Sequence, residues 1–148
     1  MSIFFIDCEW NDYRGELISM ALIPLSSSSP FFYEELEVKE PTDWIKNNVI
    51  PVLEKEPISY EKLQKKLELF FHENCHKDLH IIADWPEDIE VFCRVLITGP
   101  GEKIITPKNI SMEIFSCESK SKIPHNARAD AEALRDLWNY MMNDNGYK

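Results

Sequence analysis

Two acidic side chains stand two residues apart near the start of the chain, in the segment Phe4-Phe5-Ile6-Asp7-Cys8-Glu9-Trp10. The apolar residues before them predict a buried β-strand, and side chains two apart on a strand point to the same face. Asp7 and Glu9 are therefore expected side by side, where their charges repel and raise each other's pKa. A divalent metal ion between the two carboxylates would relieve the repulsion, and so would water if the strand runs out into a polar turn.

Further acids are predicted on buried helix faces. Asp130 lies four, seven and eleven residues before apolar side chains of the last predicted helix, and Asp88 precedes three apolar side chains at helical spacing. Asp84 ends the strand before Asp88 and is expected to face the same cleft. His125 stands five residues before Asp130 and is the side chain type most able to move a proton near neutral pH. Acids are also favoured at helix N-termini by the helix dipole, which is the alternative explanation.

The rest of the sequence predicts an α/β fold that positions these acids. Three successive strands with short turns indicate an antiparallel meander, and the strand that follows, with its helix, begins an α/β unit. Besides the strand carrying Asp7, strands are predicted at 16–25, 31–38 and 79–83, and 103–105 with 110–115 are expected to supply one or two more. Helices are predicted after Thr42 with Pro51 interrupting, after Ser59, and over about 127–142 with Asn126 as the capping residue. Another helix is predicted to carry Val91, Phe92, Val95 and Leu96 inward and to be closed by Gly99-Pro100-Gly101.

Composition limits the function classes. A chain of 148 residues predicts one domain over 1–148, and no apolar run approaches the roughly 18 residues of a membrane span. The start lacks the pattern of a signal peptide, and the four cysteines form no CxxC pair, so a cytoplasmic protein is expected. The net charge of −10 disfavours non-specific duplex binding, so a nucleic-acid partner would require metal ions or a local basic patch.

Together these residues resemble the histidine-bearing (DEDDh) branch of the 3′–5′ exonucleases with an RNase H-like fold, in particular its compact bacterial and phage exoribonucleases. That family carries Asp-x-Glu on its first strand, matched by Asp7-Cys8-Glu9, and a His five residues before an Asp, matched by His125 and Asp130. Its middle acid stands at a helix start, where Asp88 fits the pattern and Asp84 does not. The surrounding middle motif departs from the usual one, so Asp88 and Asp84 stay open as the middle ligand.

The resemblance implies a fold and a chemistry. The fold would be an RNase H-like mixed sheet, with an antiparallel three-strand meander and parallel strands, flanked by helices. Two Mg²⁺ or Mn²⁺ ions would be held by carboxylates, since hard cations prefer oxygen ligands. His125 would take the proton of the attacking water, and a 5′-nucleotide would leave from a single-stranded RNA or DNA 3′ end. The implied metal ligands are Asp7, Glu9, Asp88 and Asp130, and the implied catalytic residues are these four with His125.

Substrate contacts and alternatives complete the predictions. Trp10 is expected to stack on terminal bases, Arg128 to hold phosphate and Asp84 to line the substrate cleft, whereas Trp85 is expected to be a partly buried core aromatic. A zinc site at His72 and His76 is the rival constellation, and a solvated helix end is the favoured explanation for it. A catalytically inactive nucleic-acid or protein-binding module is the alternative function. RNA versus DNA preference stays open, as does the oligomeric state, although members of the family often form homodimers.

Overall fold

A computed structural model describes residues 1–144 of the chain. The strands are β1 (Ser2–Trp10), β2 (Leu17–Pro24), β3 (Phe32–Glu35), β4 (Leu79–Ala83), β5 (Ile97–Gly99), β6 (Glu102–Lys103) and β7 (Ile110–Ile114). The helices are α1 (Asp43–Asn48), α2 (Tyr60–Asn74), α3 (Pro86–Leu96) and α4 (Ala127–Asp144). The central feature is a five-stranded mixed sheet in the order β3-β2-β1-β4-β7.

The strand pairings confirm the predicted mixed α/β sheet. β1 pairs antiparallel with β2, and β2 pairs antiparallel with β3, which gives the three-strand meander. β1 pairs parallel with β4, and β4 pairs parallel with β7. A parallel neighbour requires a crossover connection, and the helical segments between β3 and β4 supply it.

The two faces of the sheet carry different cores. The even-numbered residues of β1, Phe4, Ile6 and Cys8, pack against α2 and α3 in the largest apolar cluster. The odd-numbered residues face α4, where Phe5 packs against Leu134. Because side chains alternate along a strand, Asp7 and Glu9 share the α4 face, and Cys8 is buried beneath the sheet as the sequence predicted.

The helix starts follow the predicted capping residues. Thr42, Ser59 and Asn126 accept hydrogen bonds from backbone N–H groups in the first turns of α1, α2 and α4. Pro51 interrupts the first helical region as predicted, since α1 ends at Asn48 and a separate 3-10 turn covers Ile50–Val52.

Three boundaries differ from the sequence predictions. The Gly99-Pro100-Gly101 segment does not close α3, because α3 ends at Leu96 and the next residues form a β5–β6 hairpin with Gly101 at φ 71° in its turn. β6 stops at Lys103, so the predicted strand at 103–105 is mostly absent, and β3 is shorter than 31–38. None of the helices within residues 1–144 has the length and apolar character needed to cross a membrane.

Candidate metal centre

The candidate centre lies where β1 and β4 end. These strands are parallel neighbours, so their carboxyl ends meet at the same edge of the sheet. Asp7 and Glu9 occupy the last part of β1, and Asp84 follows β4 directly. The first turns of α3 and α4 add Asp88 and Asp130 to the same edge.

Asp7 belongs to two groups of carboxylates at once. One oxygen each from Asp7, Glu9 and Asp130 lie within 4.8 Å of one another. The same holds for Asp7, Asp84 and Asp88. The five predicted acids therefore converge, and Asp7 is common to both groups.

The buried Asp88 is fixed from the backbone of β1. Its Oδ1 accepts a hydrogen bond of 2.8 Å from the N–H of Cys8, between the two acids of the first strand. Asp88 is 1% exposed, which agrees with its predicted place on the inward stripe of α3. Asp84 is partly buried and lies in the same group, so the structure brings both candidates for the middle acid to Asp7.

None of the five acids forms an ion pair with a lysine or arginine within residues 1–144. Burial, followed by the charges of Asp88 and Glu9, raises the pKa of Asp7 well above its ordinary value. Burial and the charge of Asp130 raise the pKa of Glu9 to about 8. Ionising the cluster is therefore costly unless a cation binds.

Two oxygens in the cluster are available for such a cation. Asp7 Oδ2 and Asp130 Oδ1 are buried and lack a hydrogen-bond partner among the described residues. Unsatisfied buried oxygens are unusual in proteins, because each loses its hydrogen bonds to water without replacement. A set of carboxylate oxygens with free lone pairs fits Mg²⁺ or Mn²⁺, which prefer oxygen ligands, better than zinc.

His125 lies beside the acids at a cavity of about 390 Å³. Its backbone has a φ of 69°, and its N–H donates to Asp130 Oδ2 at 3.1 Å. The residues that line this cavity are Asp7, Asp84, Ser119, Lys120, Ser121, Pro124, His125 and Asp130. The predicted histidine thus shares one cavity with three of the five acids, Asp7, Asp84 and Asp130, and Lys120 lines the same cavity.

The tryptophans and the arginine considered for substrate contact differ in their exposure and in the side chains they touch. Trp10 is partly buried against the core cluster on the α2–α3 side. Trp85 is 59% exposed, so its predicted place in the core is wrong; it is the N-cap residue of α3, which begins at Pro86. Arg128 stacks on the Phe31 ring at 4.3 Å and pairs with Glu132, so its guanidinium is held at the start of α4.

The rival histidine constellation does not form a cluster. α2 ends at Asn74, so His72 and His76 do not share a helix face, and both are exposed. The groups of possible metal-ligating side chains found within residues 1–144 contain neither histidine. The solvated helix end expected from the sequence is confirmed.

Two side chains near the centre were missed by the sequence analysis. The Trp44 ring contacts the His125 ring edge-on, with centroids 5.0 Å apart. Glu35 is fully buried on β3 and accepts a hydrogen bond from Tyr33 Oη. The adjacent acids Glu34 and Glu35 within an otherwise apolar run were a visible signal, because one of two successive strand residues must point to each face.

Comparisons with known proteins do not identify a family. No protein-family model matches the chain, and no curated protein matches its sequence. The resemblance to DEDDh exonucleases therefore rests on the motifs and on the α/β class of the fold.

Proposed function

We propose that this chain is a metal-dependent 3′–5′ exonuclease that hydrolyses single-stranded or short nucleic acids, with RNA favoured. The observation that carries the proposal is the place of Asp7 in two carboxylate groups, one with Glu9 and Asp130 and the other with Asp84 and Asp88. An acid shared by two oxygen-rich groups suits a centre for two divalent ions, the arrangement used by many nucleases.

The ligands would come from four or five acids. Asp7 would contact both ions, and Glu9, Asp88 and Asp130 would complete the ligand set, with Asp84 as the alternative to Asp88. When bound, the ions would lower the pKa of a water molecule and neutralise the charge of the phosphate and the leaving 3′ oxygen. The lack of lysine or arginine ion pairs to these acids within residues 1–144 supports this role.

His125 would accept the proton of the attacking water. His125 lines the same cavity as Asp7 and Asp130, and its backbone N–H donates to the Asp130 carboxylate. A general base needs to lie within hydrogen-bond reach of the proton it takes, and a histidine is suited to this near neutral pH. Hydrolysis would break the P–O3′ bond and leave the phosphate on the released 5′-nucleotide.

The proposed direction of hydrolysis and the proposed substrate class rest on the motif resemblance and on the net charge of the chain. The 3′–5′ direction and the preference for RNA are implied by the motif resemblance. The net charge of −10 argues against a long duplex, because duplex binding depends on neutralising many phosphates. Lys120 at the cavity and the exposed Trp85 next to Asp84 are the groups that would contact a single strand.

Digestion of a 5′-labelled single-stranded RNA oligomer tests the proposal. The reaction is run with Mg²⁺ or Mn²⁺ beside the matching DNA oligomer, with EDTA, and with Asp7→Asn. Asp12→Asn is the matched control, since Asp12 is exposed in the turn after β1. We expect a ladder shortening from the 3′ end with wild type and Asp12→Asn, and none with EDTA or Asp7→Asn.

The same experiment addresses the alternative function. Intact oligomers under every metal tried, from folded wild-type protein, would exclude the exonuclease. RNA binding that persists in EDTA and in Asp7→Asn would then favour a non-catalytic binding module.

A further inference from the structure

A buried polar network joins three segments behind His125. Asn126 is 1% exposed, and its Nδ2 donates to Tyr33 Oη at 3.3 Å and to the Val52 carbonyl at 2.9 Å. Tyr33 Oη donates to Glu35 Oε1, which also accepts the Glu54 N–H at 2.7 Å. β3, the segment after the 3-10 turn and the start of α4 are thus tied together.

Asn126 also connects this network to the fourth helix. Its Oδ1 accepts the Ala129 N–H at 3.0 Å and so caps α4, while its carbonyl accepts the Asp130 N–H at 2.9 Å. The residue directly before it is His125. A displacement of Asn126 would therefore move both His125 and the first turn of α4, which carries Asp130.

His125 is held in a conformation that requires such support. Its φ of 69° lies in the left-handed region, which costs a non-glycine residue on the order of 1 kcal/mol or more. Strained residues persist where surrounding contacts fix them. The contacts here are the Asp130 carboxylate, the Trp44 ring and the anchored Asn126.

The network also fixes the chain that carries Trp44. Trp44 belongs to α1, and the chain continues through the 3-10 turn to Val52 and Glu54, both of which are bonded into the network. The same set of hydrogen bonds therefore anchors the segment that follows Trp44 and the residue that follows His125.

The network adjoins the acid cluster across the sheet. Tyr33 lies opposite Ala21, which lies opposite Asp7, and Glu35 lies opposite Ser19, which lies opposite Glu9. All of these face α4. Burying the Glu35 carboxyl group and the Asn126 amide here costs desolvation free energy that apolar side chains would not lose. Packing alone therefore does not explain the presence of these two residues.

We propose that Tyr33, Glu35 and Asn126 are positioning residues that set the orientation of His125 for proton transfer. This inference rests on the proposed function, because it gives His125 the role of general base. None of the three reaches the reacting atoms; each acts through His125. A small misplacement of a reacting group can cost about 100-fold in rate, which gives the expected scale of the effect.

The test is a double-mutant cycle between Tyr33→Phe and His125→Ala. Tyr33→Phe keeps the ring and removes the hydroxyl that donates to Glu35. We expect kcat to fall about 10- to 100-fold with KM within about twofold of wild type. In the His125→Ala background, Tyr33→Phe should cause no further loss, since the residue through which it acts is gone.

Two further variants separate positioning from general destabilisation. Leu67→Val changes the core on the opposite face of the sheet and should lower Tm without lowering kcat. Asn126→Asp keeps an acceptor for the α4 cap but loses both Nδ2 donors, and it serves if Tyr33→Phe does not fold. Equal losses of kcat in the wild-type and His125→Ala backgrounds would overturn the inference.

A readout without activity keeps the inference distinct from the proposed function. The protein has four histidines, and ¹³C-labelled histidine NMR assigns the His125 resonance by its loss in His125→Ala. In Tyr33→Phe, the His125 resonance should move toward that of the exposed His76 as the Trp44 contact loosens, while the other resonances stay. An unmoved His125 resonance would overturn the inference, whereas a moved one in a protein without nuclease activity would count against the proposed function alone.

Discussion

The backbone N–H of Cys8 donates a 2.8 Å hydrogen bond to Asp88 Oδ1, so the middle acid is tied to the strand segment between Asp7 and Glu9. β4 pairs with β1 only as far as Phe5 opposite Ile82, so this N–H lies beyond the paired region. Asp88 thereby takes the place of a strand partner. Burial raises the pKa of Asp88 well above its ordinary value, and the hydrogen bond from Cys8 partly opposes that rise. One carboxylate oxygen is fixed, and the other is left for a cation.

This geometry predicts unequal roles for the two middle acids. Asp88→Asn keeps an acceptor for the Cys8 N–H but removes the negative charge. We therefore expect turnover to fall more than about 100-fold, beyond the 10- to 100-fold loss typical of residues that only hydrogen-bond to metal ligands. Asp84→Asn should lower turnover about 10- to 100-fold, as expected for a residue that supports the metal ligands without binding the ion. Steady-state kinetics at several Mn²⁺ concentrations would check the order. A larger loss for Asp84→Asn would make Asp84 the middle ligand.

Removing a carboxylate should affect stability and activity in opposite directions. In EDTA at pH 8, Asp7→Asn should raise Tm by a few °C, on the order expected for about 1 kcal/mol. Folding with Asp7 must either bury a repelled charge or take up a proton, and asparagine requires neither. Asp12→Asn should leave Tm unchanged. Scanning calorimetry in EDTA measures the gain in Tm, and scanning calorimetry with Mn²⁺ measures how much of the metal-induced increase in Tm Asp7→Asn loses. An Asp7→Asn protein less stable than wild type in EDTA would contradict the repulsion argument.

The raised pKa of Glu9 contributes to the pH dependence of stability in the metal-free protein. Below its ordinary pKa of 4.5 this group is protonated in both states, and up to about 8 the folded state keeps the proton that the unfolded state loses. The contribution of Glu9 to stability is therefore present near pH 4.5 and is lost as the pH rises to about 8.

Urea unfolding in EDTA at pH 5 and pH 8 measures this loss. Glu9→Gln should flatten the dependence, and Mn²⁺ should reverse it, because the ions bind the ionised carboxylates. A metal-free wild type that gains stability from pH 5 to pH 8 would show that the cluster is not coupled in this way.

His125→Ala separates proton transfer from metal binding. We expect kcat to fall about 10²- to 10⁴-fold, the range for loss of a general base, while Mn²⁺ affinity stays within about twofold. His76→Ala is the matched control, because His76 is exposed and away from the carboxylates. Single-turnover kinetics with isothermal titration of Mn²⁺ gives both values. Loss of Mn²⁺ binding in His125→Ala would assign His125 a ligand role instead.

The exposures of two tryptophans predict different defects. Trp85 is 59% exposed beside Asp84, so Trp85→Ala should weaken binding of single-stranded RNA by about 1–3 kcal/mol, the range for one stacked base, with little change in Tm. Trp10 packs against the core, so Trp10→Ala should lower Tm. Fluorescence anisotropy with labelled RNA and thermal unfolding measure the two effects. Unchanged RNA binding in Trp85→Ala would remove Trp85 from the substrate contacts.

The sequence predicted the acid cluster because its signals are local. Asp7 and Glu9 follow from the period of a strand, and Asp88 and Asp130 from the apolar stripes of α3 and α4. The parallel pairing of β1 with β4 then brings all of them to one edge. Pro51 predicted the break after α1 for a similarly local reason, since its ring is incompatible with a helix interior.

The contacts that position His125 could not be predicted from local sequence patterns. Trp44 and His125 are 81 residues apart in sequence. Asn126 and Tyr33, which form a hydrogen bond, are 93 residues apart. Such pairs depend on how the chain between β3 and β4 folds back, which no periodicity describes. Trp85 was misplaced for a related reason, because its exposure depends on its position between β4 and α3 rather than on its apolar character.

The count of Mn²⁺ ions bound per chain tests the central claim, that Asp7 is shared by two metal sites. Electron paramagnetic resonance and equilibrium titration of the wild type should give two ions per chain with coupled spins, and Asp12→Asn should match it. Asp7→Asn should lose both ions, because each group contains Asp7. Two ions retained in Asp7→Asn, or none bound by the folded wild type, would contradict the account.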